Sequence, residues 1–132
     1  RRSYGRKIFG VKYKREIHAV MCFAYTNEIP KSVEELDIMS QDAHLQSTLR
    51  GQNVGKIAIA YTVWSKKKGG GKLIVKEVFN KIKKSNHLNR LVTLSPLTDM
   101  AYKFHIKNGA KLISVNETTQ NFEYKVIKNK KY

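Results

Sequence analysis

The stretch that decides the fold is residues 56–72, which read KIAIAYTVWSKKKGGGK. It opens with an apolar run typical of a central strand and continues into a basic, glycine-rich loop. Beyond the loop, Ile74, Val78 and Ile82 recur every four residues and predict an amphipathic helix from Lys72 to Lys84. The stretch therefore predicts a strand, a basic loop and a helix in succession.

This succession is typical of a phosphate-binding site, because free backbone N–H groups at a helix N-terminus, the helix dipole and nearby lysines all favour an anion. The two commonest versions of such a site are excluded. A Walker loop needs Gly at position 66 and Ser or Thr at 73, where the chain has Lys66 and Leu73. A dinucleotide fingerprint needs Gly or Ala at 74, where the chain has Ile74. The alternative is that residues 66–71 form only a flexible, solvated turn, and the sequence does not decide between the two.

The sequence before this stretch predicts two further elements. Residues 7–25 are typical of a β-hairpin, and its second run is apolar on both faces. Ser32, with Glu35 three residues later, forms a capping-box pattern that predicts a short helix. We expect the mostly polar residues 40–54 to form a loop.

After the central helix, residues 91–95 predict a short strand that Pro96 ends. Pro96 suits the start of a helix, which Asn108-Gly109 ends. The apolar face predicted for that helix consists of Leu97, Met100, Ala101 and Phe104.

Two last strands are predicted at residues 110–115 and 122–127, across a polar turn. The order β-β-α-β-α-β-α-β-β indicates an α/β domain whose mixed sheet carries helices on its faces. The length of 132 residues suits one such domain spanning residues 1–132.

Composition excludes several classes of protein. The 41% hydrophobic residues are enough for a core, and no apolar run approaches the roughly 18 residues of a membrane span. One cysteine forms no internal disulfide and no structural zinc site, so we expect stability from packing and no metal. We expect a cytoplasmic protein or one inside a phage particle. Because the chain opens at Arg1 without Met, we also expect an upstream part to be missing.

The net charge of +16 is the strongest compositional signal. Such a surface attracts phosphates, acidic proteins or anionic lipid head groups. A nucleic-acid partner would be bound without sequence preference, and ever more weakly as salt rises. The many Lys, Ile and Asn residues also fit an AT-rich genome with no functional pressure, and the two explanations stay open.

Two spaced motifs resemble the GNAT acyltransferase superfamily. Lys66–Gly71 is similar to that family's pyrophosphate loop, which reads Arg or Gln, two residues, Gly, any residue, then Gly or Ala. Residues 101–110, AYKFHIKNGA, resemble the family's later helix, in which Ala, an apolar residue, Tyr and then Gly-Phe recur at these spacings. The resemblance covers residues 7–127 and implies a mostly antiparallel, GNAT-like sheet with acetyl-CoA as cofactor.

The resemblance also implies a set of cofactor-binding residues. The loop amides would bind the coenzyme A pyrophosphate, and the strands 56–64 and 91–95 would separate to admit the pantetheine arm. Strand residues 62–64 would present backbone groups to the thioester, and a hydroxyl would stand at position 98, where the family commonly has Asn. The residues implied are Thr62, Val63, Trp64, Lys66, Lys67, Lys68, Gly69, Gly70, Gly71, Lys72 and Thr98.

His105 is the catalytic residue that the resemblance implies. It stands where the family most often has the Tyr that protonates the leaving thiolate. A histidine with a pKa near 6.5 is suited to proton transfer at neutral pH. We expect His105 to face the cleft from the side of the helix opposite its apolar face. The alternative is a histidine that merely covers the helix surface.

Two departures from the family pattern concern the acceptor site. Residues 27–55 form an insertion with an acidic helix, between strands that the family joins tightly. The family's elements before the hairpin, which usually form part of the acceptor site, are not in this sequence. We expect the acidic helix to replace the missing wall.

The resemblance leads to an acyl-CoA-dependent N-acyltransferase that transfers an acetyl group to an amine by direct attack on the thioester. No general base stands out, and Glu28 and Asp99 are the nearest candidates. The rival expectation is an inactive GNAT-fold protein that binds nucleic acid or serves as a structural component of a phage virion. The remaining histidines and Cys22 are expected to be structural or solvated.

Overall fold

The computed structural model describes residues 6–13, 16–51, 55–65, 70–85 and 87–126. Within these ranges the chain forms seven strands and three helices. Six of the strands and the three helices follow the predicted order, and one short strand is additional. The elements are β1 (Arg6–Tyr13), β2 (Glu16–Thr26), α1 (Val33–Arg50), β3 (Ile57–Ser65), α2 (Gly70–Lys84), β4 (Arg90–Thr93), β5 (Ser95–Pro96), α3 (Asp99–Lys107), β6 (Lys111–Val115) and β7 (Thr119–Tyr124).

The strands form one mixed sheet in the order β1-β2-β3-β4-β7-β5, and β6 pairs with β7 on its other side. Among the described strands, β3 and β4 are the only parallel pair. The expected mixed, mostly antiparallel sheet is therefore confirmed. β4 and β5 lie one after the other along the same side of β7, with a break at Leu94.

The core lies on both faces of this sheet, because the central strands are apolar on both faces as their sequence predicts. In β3, Ala58 and Ala60 face the apolar stripe of α2, while Ile57 and Ile59 face Leu36 of α1. The α2 stripe is fully buried and consists of Ile74, Val75, Val78 and Ile82. The predicted helix after the glycine loop is confirmed, and it begins two residues earlier, at Gly70.

The expectation of a short helix followed by a loop over residues 40–54 is wrong, because α1 continues to Arg50. Its polar residues are compatible with a helix, since hydroxyls there bond back to carbonyls of the preceding turn. Ser47 Oγ donates to the Ala43 carbonyl at 2.8 Å, and Thr48 Oγ1 donates to the His44 carbonyl at 3.0 Å. Gly51, with φ of +67°, ends the helix.

The predicted cap of α1 is confirmed. Ser32 Oγ accepts the Glu35 N–H at 3.1 Å, and the Glu35 carboxylate reaches back to accept the Lys31 N–H at 3.2 Å. This acidic helix lies within the expected insertion and packs on β2.

The predicted start and apolar face of α3 are wrong. Thr98 rather than Pro96 precedes the helix, and its hydroxyl accepts the Ala101 N–H at 3.2 Å. Leu97 is 44% exposed and Met100 is 83% exposed, so these two are not part of a buried face, although Phe104 packs against the core.

The last strand begins earlier than predicted, because Thr119, Gln120 and Asn121 belong to β7 and are buried. Their polarity suggested a turn, but each side chain donates a hydrogen bond to a backbone carbonyl elsewhere in the fold. No helix in the described part of the chain is long and apolar enough to cross a membrane.

Candidate active site

The candidate site lies where β3 separates from the strand beside it. The pairing of β3 with β4 runs from Ile57↔Arg90 to Ala60↔Thr93, and its last link is a hydrogen bond of 2.8 Å from Leu94 N–H to the Ala60 carbonyl. Beyond that point β3 continues beside β2, while β5 pairs with β7. The parting strands open a cavity of about 310 Å³, which we call the strand cleft.

Buried polar side chains of β7 bond to the backbone of β4 and β5 and so keep the chain separated from β3. Asn121 Nδ2 donates to the Thr93 carbonyl at 2.9 Å. Gln120 Nε2 donates to the Pro96 carbonyl at 3.0 Å and to the Thr98 carbonyl at 3.1 Å. These bonds attach the backbone after Thr93 to β7. The separation of this backbone from β3 is therefore maintained by buried hydrogen bonds of the sheet.

A β-bulge shapes the opposite wall of the cleft. Phe23 pairs with Ala60 and Cys22 pairs with Thr62, so β3 carries one extra residue, Tyr61, at the point of separation. Bulges are frequent beside active sites, where they redirect neighbouring groups. Among the described residues, the wall consists of Ala60, Tyr61, Thr62, Val63, Gly71, Leu94, Ser95, Pro96, Thr98, Met100, Ala101, Phe104 and His105.

Five of the predicted site residues therefore meet in this wall: Thr62, Val63, Gly71, Thr98 and His105. Trp64 follows in β3, and Gly70 is buried at the start of α2. Lys72 lines a different cavity. Lys66, Lys67, Lys68 and Gly69 lie outside the described residues. Neither Glu28 nor Asp99 belongs to the wall, and none of its described residues is a carboxylate.

His105 is buried, with 4% of its surface exposed, and it lies in the wall of the strand cleft rather than on the surface of α3. Its Nδ1 lies 2.7 Å from the Tyr124 hydroxyl. Burial lowers the pKa of His105 from 6.5 to about 4. The expected pKa near 6.5 is therefore wrong, and the imidazole is neutral at pH 7.

Gly71 has a packing role that the sequence did not reveal. A Cβ at this position would lie 2.6 Å from Phe104 Cε1 and 3.0 Å from its Cζ. The missing side chain allows the first turn of α2 to contact α3 at one end of the strand cleft. A side chain at position 71 would therefore disturb this packing, and it would also hinder any ligand that approaches the Gly71 amide.

We expect Gly71→Ala to lower the free energy of unfolding by about 1–3 kcal/mol, because Phe104 must leave its position. In a Phe104→Leu background the same substitution should cost clearly less, and a double-mutant cycle by urea unfolding measures this coupling. Gly10→Ala is the control, since its Cβ would meet nothing closer than 3.7 Å. Equal costs of Gly71→Ala in both backgrounds would contradict the contact.

A second cavity, of about 490 Å³, lies beside the first. We call it the lysine cavity, because Lys72, Lys76, Lys107 and Lys125 line it and no carboxylate of the described part of the chain does. Phe79 and Tyr124 supply aromatic surface. No group of three or more His, Cys, Asp or Glu that could hold a metal ion is present in the described part of the chain.

No family model and no curated protein matches this sequence. Solved structures do match it. The GphF GNAT-like decarboxylase, in complex with isobutyryl-CoA, is 8% identical with a TM-score of 0.69, and the match covers 91% of this chain and 78% of that one.

Two N-acetyltransferases also match, with somewhat lower TM-scores. PaiA of Thermoplasma acidophilum, in complex with coenzyme A, is 13% identical with a TM-score of 0.60, over 92% of this chain and 61% of that one. PseH of Campylobacter jejuni, in complex with acetyl coenzyme A, is 15% identical with a TM-score of 0.58, over 93% of this chain and 70% of that one. At these identities the likeness concerns the fold, and the fold expected from the two motifs is confirmed.

Proposed function

We propose that this protein, whose fold is that of the GNAT superfamily, binds an acyl-CoA in the strand cleft and transfers the acyl group to an amine. The observation that carries the proposal is the separation of β3 from β5 beyond Ala60, with five of the predicted site residues in the wall of the resulting cavity. The three similar structures described above are complexes with isobutyryl-CoA, coenzyme A and acetyl coenzyme A, which supports the same class of ligand here.

The free edge of β3 is suited to the amide groups of a pantetheine arm. Backbone groups of successive strand residues point alternately to either side. The backbone carbonyl of Ala60 points away from β2, because it accepts a hydrogen bond from the Leu94 N–H. The extra residue Tyr61 shifts this alternation by one, so the backbone N–H and C=O of Val63 are the next pair directed into the cleft.

The phosphate groups require positive charge, and the lysine cavity supplies it next to the first turn of α2. Lys72 belongs to both features, since it lies in that first turn and in the wall of the lysine cavity. Backbone N–H groups at a helix N-terminus favour an anion, and lysines add point charges.

The chemistry follows from a neutral His105. The thioester supplies an activated acyl group. The amine nitrogen bonds to the carbonyl carbon, the carbon–sulfur bond breaks, and the imidazole Nε2–H donates a hydrogen bond to the departing sulfur. Because no described residue of the cleft wall is a carboxylate, water accepts the proton that the amine releases, and water also delivers the proton that converts the departing thiolate into the thiol.

Filling the strand cleft tests the proposal. We expect Ala101→Phe to weaken acetyl-CoA binding by about 10- to 100-fold, because the new ring occupies volume that the ligand needs. The matched control is Ile106→Phe on the same helix, which introduces the same ring at a position that lines neither cavity and is 39% exposed. Calorimetric titration with acetyl-CoA, isobutyryl-CoA and free coenzyme A measures both variants.

A parent protein that binds none of these ligands would contradict the proposal and would favour the polyanion-binding alternative expected from the charge of +16. Equal weakening in Ala101→Phe and Ile106→Phe would mean that the ligand does not occupy the cleft. Differences between the acyl-CoA ligands identify the acyl group that fits.

A further inference from the structure

The hydrogen bond between His105 and Tyr124 joins the two cavities. His105 lies in the wall of the strand cleft, and Tyr124 lies in the wall of the lysine cavity. Both side chains are buried, and Nδ1 and the hydroxyl oxygen are 2.7 Å apart. The imidazole also packs against the rings of Phe122 and Phe104, each with a centroid distance of 5.0 Å. The ring of His105 is therefore fixed on several sides.

We propose that Tyr124 is a positioning residue, which holds His105 as the neutral tautomer with its proton on Nε2, directed toward the strand cleft. Counting donors and acceptors leads to this assignment. Within the described part of the chain, neither side chain makes a second hydrogen bond. When the Tyr124 hydroxyl donates to Nδ1, its one proton and the Nδ1 lone pair are both satisfied. The reverse arrangement leaves a buried phenol proton with no acceptor among these residues.

The surroundings of the pair favour the neutral forms of both groups. In the described ranges, neither cavity wall contributes a carboxylate that would stabilise an imidazolium. The charged groups around Tyr124 are lysines of α2, of the end of α3 and of the residue after β7, and these oppose a further positive charge on His105. The lysines are Lys72, Lys76, Lys107 and Lys125. Burial lowers the pKa of His105 and raises the pKa of Tyr124.

The consequence for catalysis rests on the proposed function. A neutral imidazole has one N–H donor, and its position decides whether His105 offers a proton or a lone pair to the departing sulfur. Tyr124 is separated from the strand cleft by His105 and acts only through it. The remaining Nε2–H then has no competing acceptor among the described residues.

The test is nitrogen-15 NMR of the histidine rings in the ligand-free protein at pH 7. We expect His105 of the parent to carry its proton on Nε2 alone. In Tyr124→Phe, where Nδ1 has lost its donor, the Nδ1–H tautomer should become detectable and both ring-nitrogen shifts should move. The control is Tyr102→Phe, the same substitution at a tyrosine of α3 that is 43% exposed, and its spectrum should match the parent.

A parent with its proton on Nδ1, or ring-nitrogen shifts unchanged in Tyr124→Phe, would overturn the proposal. If Tyr124→Phe does not fold, the tautomer of His105 in the parent still tests the proposal. Where acyl transfer is measurable, we expect kcat of Tyr124→Phe to fall about tenfold with KM unchanged, the loss typical of one hydrogen bond. Because the spectra need no ligand, failure of acyl-CoA binding would contradict the proposed function and leave the tautomer assignment standing.

Discussion

Acyl transfer by His105→Phe is expected to be about 10²- to 10³-fold slower than by the parent, the usual loss when one preorganised hydrogen-bond donor is removed from a reaction that develops negative charge. Phenylalanine suits the site because the imidazole already packs between Phe104 and Phe122. Binding of acyl-CoA should change little, since the sulfur becomes a strong acceptor only as the carbon–sulfur bond breaks.

The substitution alone leaves the buried Tyr124 hydroxyl without its partner, which costs about 1–3 kcal/mol of stability. The double variant His105→Phe/Tyr124→Phe removes both polar groups and should recover most of that loss. It should remain as slow as the single variant. This pair of variants separates a catalytic effect from a folding effect.

Steady-state rates with a panel of amines, together with calorimetric titration of acetyl-CoA, check the prediction. A His105→Phe variant as fast as the parent would remove His105 from the mechanism. His105→Tyr, which restores the donor implied by the family resemblance, should recover part of the rate.

The local sequence was sufficient to predict the elements that build the cleft. The apolar run before residue 66 and the four-residue repeat of Ile74, Val78 and Ile82 are signals within one element, and both predicted elements form. The motif at residues 101–110 likewise marked the helix that carries His105. The first two patterns are local to one element and need no knowledge of distant contacts, whereas the motif was identified from the family resemblance.

The missed features of the candidate site depend on pairs that are far apart in sequence. Asn121 is polar and suggested a turn, yet it is buried because it donates to the carbonyl of Pro30, 91 residues earlier. Gly71 was interpreted only as an open backbone position, although its packing against Phe104 requires the absence of a side chain. No periodic signal reports such long-range contacts.

The pKa of His105 was missed for the same reason. The sequence gives the chemical type of residue 105, but its ionisation depends on burial and on Tyr124, which follows 19 residues later. Alternation in the last strand, where Phe122 and Tyr124 lie on one face, was the available hint that Tyr124 points inward. This alternation did not indicate which helix residue Tyr124 would contact.

Acidification should therefore destabilise this fold through His105. The unfolded chain binds a proton at His105 with a pKa of 6.5, whereas the folded protein binds it only near pH 4. Above pH 6.5 the group is neutral in both states and has no effect. As pH falls from 6.5 to 4 the unfolded state binds more protons, and stability decreases by up to about 3 kcal/mol from this group alone.

Urea unfolding between pH 7 and pH 4 measures this loss, with His105→Phe/Tyr124→Phe as the reference, because other titrating groups contribute equally to both proteins. As pH falls, the parent should lose more unfolding free energy than the double variant. The difference between the two should become constant below pH 4, where His105 is protonated in the folded state as well. A difference that stays constant over this range would mean that His105 titrates alike in both states. In that case the imidazole could be charged near neutral pH, and a protonated His105 would replace the neutral donor in the mechanism.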